Sequence, residues 1–179
     1  MSPASVRVVE LPGMSPATPL AGFDALYERH YETVFRVALR VTGNAADAED
    51  VLQTVFLRVL SRGDDAAAAR PAAYFKRAAV NAAVDVLRRR ETRAESAYDE
   101  EAPPPALAPQ LAVQPPVLLK ERLRRAIATL ESDDASLFLL RHVEGLTIDE
   151  LAGMFEIEKN NVAVRLHRIR RRLQAELER

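Results

Sequence analysis

The sequence predicts an all-α chain: two small helical domains joined by a flexible proline-rich linker, the second a helix-turn-helix. Three observations support this. Apolar residues recur at helical spacing in one segment after another, and no segment alternates as a strand would. Pro103-Pro104-Pro105, Pro109 and Pro115-Pro116 interrupt that pattern across residues 92–118, too long a stretch for a loop within one compact domain. Finally, Leu146 to Leu173 reads as a short capped helix, a three-residue break and a strongly basic helix.

In chain order, residues 1–21 carry Pro3, Pro12, Pro16 and Pro19 without periodicity and are expected to form a disordered tail; Met14 is an alternative start to Met1. A first domain spans 22–91. Its first helix places Phe23, Leu26, Tyr27, Val34, Ala38 and Val41 on one side and ends at Gly43-Asn44, residues suited to a left-handed cap. A second helix covers about Ala45 to Leu60, with Asp47, Glu49 and Asp50 near its positive end. Gly63-Asp64-Asp65 and an alanine run read as a loop, and Pro71 suits the first turn of a third helix reaching about Arg90. Beyond the acidic linker, a second domain spans 119–179. Leu119, Leu123, Ile127 and Leu130 resume the periodicity, and Ser132 can cap a helix that Gly145 ends.

Bulk properties narrow the function. The 179 residues have a formal net charge of −1, which hides local segregation: Arg70 to Arg93 carries seven basic residues against Asp85 and Glu91. Nucleic-acid binding follows such patches rather than the total. Without cysteine there is no disulfide, thiolate metal site or cysteine nucleophile. His30, His142 and His167 stand apart, and no phosphate loop, nucleophile elbow or zinc motif occurs. Apolar runs are too short to span a bilayer, so no membrane insertion is expected. The expectation is a cytoplasmic, non-enzymatic protein with no catalytic residues, metal or cofactor.

The helix-turn-helix carries the clearest chemistry. Thr147 and Glu150 have the spacing of a capping box. After Glu156-Ile157-Glu158, the last helix lines up Val162, Leu166, Ile169 and Leu173 as one apolar stripe. From Lys159 to Arg172 it has six basic residues and no acid. Stepping about 100° per residue puts Asn160, Val164, His167, Arg168 and Arg171 opposite the stripe. One face then packs on the domain while the other offers amides and guanidiniums to base edges and phosphates.

Two other faces invite a role. In the third helix Phe75, Ala79, Ala82 and Val86 form the expected core stripe. Tyr74, Arg77, Asn81, Val84 and Arg88 share another side that leads to Arg88-Arg89-Arg90. An aromatic, an amide and arginines can stack, read and hold an unpaired base, although Tyr74 as half-buried core and Asn81 as plain surface fit the pattern equally well. In the second helix Val51, Val55 and Val59 point inward, while Asp50, Gln53, Thr54 and Leu57 share a polar face centred on a leucine, a composition that fits a docking surface and an ordinary exposed leucine equally well.

The chain resembles the extracytoplasmic-function sigma factors of bacterial RNA polymerase, over about residues 22–179. Four blocks carry the resemblance: Leu26-Tyr27-Glu28-Arg29-His30-Tyr31, the Asp47 to Phe56 run, Asn81 to Arg90, and Gly145 to Leu173. It implies that Asp47, Asp50, Gln53, Thr54 and Leu57 dock on the clamp helices of the largest polymerase subunit. It implies that Tyr74, Arg77, Asn81, Arg88 and Arg89 capture and melt the minus-ten promoter element. Asn160, Asn161, Val164, Arg165, His167, Arg168 and Arg171 would then read the minus-thirty-five element, with that lobe resting on the polymerase flap. The implied partners are core RNA polymerase and promoter DNA, and an anti-sigma factor is a further partner the resemblance allows. A stand-alone helix-turn-helix regulator and a sigma-like decoy for an anti-sigma protein are the alternatives. Glu156 stands where glycine is usual in this family, so a left-handed turn there costs roughly 1 kcal/mol.

Overall fold

The computed structural model describes residues 20–62, 70–98 and 116–178, and among them there are seven helices and no strand. In order they are α1 (Leu20–Thr42), α2 (Ala45–Arg62), α3 (Pro71–Tyr98), α4 (Pro116–Ala128), α5 (Ser132–His142), α6 (Ile148–Phe155) and α7 (Lys159–Leu177). The expectations for the N-terminal tail up to residue 19, the Gly63 loop and the prolines at 103–109 fall outside the described residues. No helix among the described residues is long and apolar enough to cross a membrane.

The helix boundaries follow local chemistry. Gly43 turns with φ +81° and its N–H closes on the Leu39 carbonyl at 2.9 Å, ending α1. Asn44 then caps α2: its Oδ1 accepts from the Asp47 amide at 2.8 Å while its Nδ2 donates to the Asp47 carboxylate. Thr147 and Glu150 form the expected capping box on α6. Ser132 departs from expectation. It is the first residue of α5, which follows Glu131 without a side-chain cap, and its carbonyl accepts from Ser136 Oγ at 2.8 Å.

The linker is also shorter than predicted. α3 runs on to Tyr98, because nothing from Glu91 to Tyr98 breaks a helix, and Glu91 pairs with Arg125 at 3.5 Å. At the other end α4 takes in residues 116–118, starting on Pro116, whose missing N–H costs nothing at that position.

The larger correction concerns how the domains sit. The two domains do not stand apart: α1–α3 and α4–α7 pack together and share one continuous apolar core. α3 is the centre, touching α1 and α2 on one side and α4 and α5 on the other. Its expected stripe of Phe75, Ala79, Ala82 and Val86 is buried, but so is a second stripe, Val80, Val84 and Leu87, at i, i+4 and i+7. Val84, expected on an exposed face, is fully buried. A helix apolar on two sides must be covered on both, and the C-terminal lobe supplies the second cover.

Candidate nucleic-acid interface

The basic helix α7 has the orientation expected of a reading helix. Val162, Leu166, Ile169 and Leu173 are buried, which leaves Asn160, Asn161, Val164, His167, Arg168 and Arg171 exposed. Among the described residues neither Arg168 nor Arg171 has an ion-pair partner, so both guanidiniums are free for a polyanion. Arg165 differs. It points back into its own lobe and grips Asp134 through Nη2 at 2.6 Å and Nε at 3.0 Å. Both donors meet the same Oδ1, and this pair ties α7 to the first turn of α5, so Arg165 positions the helix and is not available to DNA as it stands. The turn leading into α7 is held by Glu156 in the left-handed region, φ 56° and ψ 40°.

The α3 face is arranged quite differently. Tyr74 is half-buried, packed edge-to-face on Phe75 with ring centroids 5.3 Å apart. Arg77 donates to the Met154 carbonyl at 2.8 Å, lies 4.4 Å over the Phe155 ring and approaches Asp133. Asn81 Oδ1 is hydrogen-bonded to Ser136 Oγ. A hydroxyl has one hydrogen, so Ser136 satisfies both contacts when it donates to Ser132 and the Asn81 amide turns its NH2 inward. Arg88 reaches the carbonyls of Leu130 at 2.6 Å and Ala128 at 3.3 Å. Arg89 is exposed. Three of the five residues expected to open DNA are therefore engaged by the C-terminal lobe.

On α2 the expected docking face is largely presented. Leu57 is 62% exposed, Asp50 and Gln53 are exposed and Thr54 is half-buried beside them. Asp47 does not belong to this surface. Its carboxylate pairs with Arg90 and accepts from Asn44, joining the start of α2 to α3. Beside this face Tyr27 and Tyr31 stack on α1 with centroids 5.7 Å apart, and Tyr27 also meets Phe56.

Comparison with known proteins identifies the family. The family model for sigma-70 region 2 matches residues 26–93, and that for sigma-70 region 4 matches residues 120–173. The chain is 32% identical to the RNA polymerase sigma factor CarQ of Myxococcus xanthus, over 82% of its own length and 83% of that protein. It is 30% identical to the ECF RNA polymerase sigma factor SigL of Mycobacterium tuberculosis, covering 80% of this chain and 81% of the other. The chain belongs to the extracytoplasmic-function sigma factors. A longer relative, the ECF sigma factor SigE of Mycolicibacterium smegmatis, is 28% identical across 96% of this sigma factor, which spans 66% of that relative's length. Among solved structures, a Bartonella quintana complex of the sigma factor RpoE with the anti-sigma factor NepR matches with a TM-score of 0.49 and 16% identity. That match covers 88% of this chain and 97% of the other.

In these terms α1–α3 carry region 2 and α4–α7 carry region 4. Sequence reasoning missed the residues that join them. Arg124 donates to the Val41 carbonyl at 3.0 Å, and Arg40 reaches the Val143 carbonyl at 3.3 Å and Glu144 at 3.4 Å. Their acceptors are mostly main-chain carbonyls, which leave no mark in a sequence. The apolar run Val80, Val84 and Leu87 was the one available signal that something covers this side of α3.

Proposed function

We propose that this sigma factor is the promoter-specificity subunit of RNA polymerase, acting in the cytoplasm and contributing no catalytic group of its own. The exposed α2 face around Asp50, Gln53, Thr54 and Leu57 docks on the largest polymerase subunit. Tyr74, Arg77, Asn81, Arg88 and Arg89 on α3 take the unpaired minus-ten strand, with the ring stacking, the amide reading and the guanidiniums holding the backbone. Asn160, Asn161, Val164, His167, Arg168 and Arg171 on α7 read the minus-thirty-five element in the major groove. Region 2 and region 4 lie on one chain, so binding at one element raises the effective concentration at the other.

The exposed face of α7 is the observation that carries this reading. A helix that buries four aliphatic residues and leaves two arginines unpaired beside two asparagines has the chemistry of a base-reading surface. The test is transcription in vitro with core polymerase on a genomic library, with start sites mapped, followed by Arg168→Ala and Arg171→Ala on the promoters found. Either change should cost about 1–3 kcal/mol if the arginine is bidentate to a base, with relaxed preference at one position. A uniform loss with a shallower salt dependence marks a phosphate contact instead. Unchanged promoter use by both variants would refute the assignment of this face. For docking, the pair Asp50→Arg and Leu57→Glu should lower co-purification with polymerase while the chain stays folded, since the Val51, Val55 and Val59 stripe is untouched.

A further inference from the structure

The first two turns of α7, Lys159 to Leu166, are the part of a reading helix that meets base edges. Their outward chemistry is narrow. Arg165, the one guanidinium in them, is held on Asp134 by both Nε and Nη2. Lys159 Nζ donates to the Asp149 carboxylate at 2.8 Å, back toward the first turn of α6. Asn160, Asn161 and Val164 remain exposed, and neither amide has a hydrogen-bond partner among the described residues. Val164 is 40% exposed while Val162 and Leu166 are buried on the other side of the helix. Helical geometry puts Asn160 and Val164 within about 40° of each other, opposite the buried stripe, and about 6 Å apart along the axis.

In the major groove guanine shows two acceptors, N7 and O6, which call for a fork of donors. Adenine shows one acceptor and one donor, the complement of a primary amide, and thymine shows a methyl group that cytosine lacks. We infer that the upstream element of this sigma factor holds a thymine whose C5-methyl meets Val164, with an adenine about one or two base pairs away on Asn160. Val164 is then a specificity-determining residue for an A·T pair. The inference rests on the assignment of α7 to that element and names the bases it takes. A valine selects in both directions. Against thymine it removes two apolar groups from water, and against cytosine it covers an amino donor without accepting its hydrogen bond. Asp134 shares in the selection, because by holding Arg165 it keeps a guanine-reading fork out of these turns.

The test uses holoenzyme on a promoter that this chain transcribes, with each thymine of the upstream element, on either strand, replaced in turn by deoxyuridine. That change deletes the methyl group and leaves base pairing intact. At one thymine the parent should lose affinity about fourfold, the worth of one buried methyl group. Val164→Ala should bind the thymine and uracil forms equally, both as the parent binds uracil. The Val164 side chain lies outside the buried stripe and alanine is the better helix former, so the variant stays folded. Replacing adenines by 7-deazaadenine, which lacks the N7 acceptor, should cost the parent about fivefold at one adenine close to that thymine. Asn160→Ala should show no such loss. An upstream element without thymine, equal binding of thymine and uracil by the parent at every position, or a uracil penalty that survives in Val164→Ala would each overturn the inference. Arginine variants separate this failure from that of the underlying assignment. With uracil neutral throughout, weakened promoter use by Arg168→Ala or Arg171→Ala faults the thymine contact alone, whereas unchanged use by both faults the reading face itself.

Discussion

Glu156 sits between the two helices of the reading motif at φ 56°, ψ 40°, and is the single non-glycine residue with positive φ among those described. Its N–H closes on the Ala152 carbonyl, and the Ile157 N–H reaches the same carbonyl at 3.1 Å, so the turn cannot relax without losing the end of α6. For a residue with a Cβ this conformation costs about 1–2 kcal/mol. Glycine removes that cost but has more freedom to lose from the unfolded chain, about 0.4–1 kcal/mol. Glu156→Gly should therefore stabilise the protein by about 0.5–1 kcal/mol, a rise of about 1–4 °C in Tm for a chain of this size. The side chain is exposed, so no packing is lost. Glu156→Ala is the informative control, because it removes the charge and keeps the Cβ. The expected order of stability by thermal or urea unfolding is glycine first, asparagine next, then parent and alanine together. Repeating the series at high salt separates the two causes, since surface charge effects fade there and backbone strain does not. If alanine gains as much as glycine, or glycine lowers the midpoint, the strain argument fails.

Three further outcomes follow from buried or capped groups. His30 stacks on Phe75 with its Nε2 unpartnered, and burial, then Arg29, holds its imidazole below the usual 6.5. The unfolded chain takes up that proton first, so stability is full above about pH 6.5 and declines as pH falls toward the lowered folded value. His30→Phe should flatten that decline in unfolding curves taken from pH 7.5 to 5; an unchanged slope would mean that this imidazole is not its source. Thr147→Ala should cost about 1 kcal/mol by removing the α6 cap. Glu150 accepts from the Thr147 N–H and hydroxyl, which hold its carboxyl below 4.5; its contribution is present above that value and lost as pH falls through the lowered one. A Thr147→Ala variant as stable as its parent at pH 7 would show the cap to be idle. Asp134→Ala should unseat Arg165 and reduce duplex binding at all sequences alike, as expected of a positioning pair; a loss confined to one base position would instead make Arg165 a reader.

Much of the fold was legible because helix ends are written in side chains. Thr147 with Glu150, Gly43 with Asn44, and Pro71 all mark boundaries that the structure keeps. The α7 stripe was equally plain, and with it which residues face outward. The cover over the α3 face was not foreseen because its polar members share a helix side with Val80 and Val84. The pattern supported both a solvated face and a covered one, and only the partner lobe decides. Arg165 and Asp47 were assigned to contacts outside the chain, when each has an opposite charge waiting inside it. Arginine spacing alone does not say whether the anion it meets is a phosphate, a carboxylate or the end of a helix.

The arginine caps across the lobes make an unusual demand on heredity. Most of their acceptors are main-chain carbonyls, at Val41, Ala128, Leu130, Val143 and Met154, and a carbonyl survives almost any substitution of its own side chain. Tolerance to mutation across this seam should therefore be lopsided. Changes that keep the helices intact pass unnoticed on the accepting side, while loss of one arginine opens a gap that nothing opposite can fill. Gly43 is the exception on the accepting side. The Arg124 guanidinium lies where its Cβ would be, so even a methyl group there displaces the arginine as well as straining the turn.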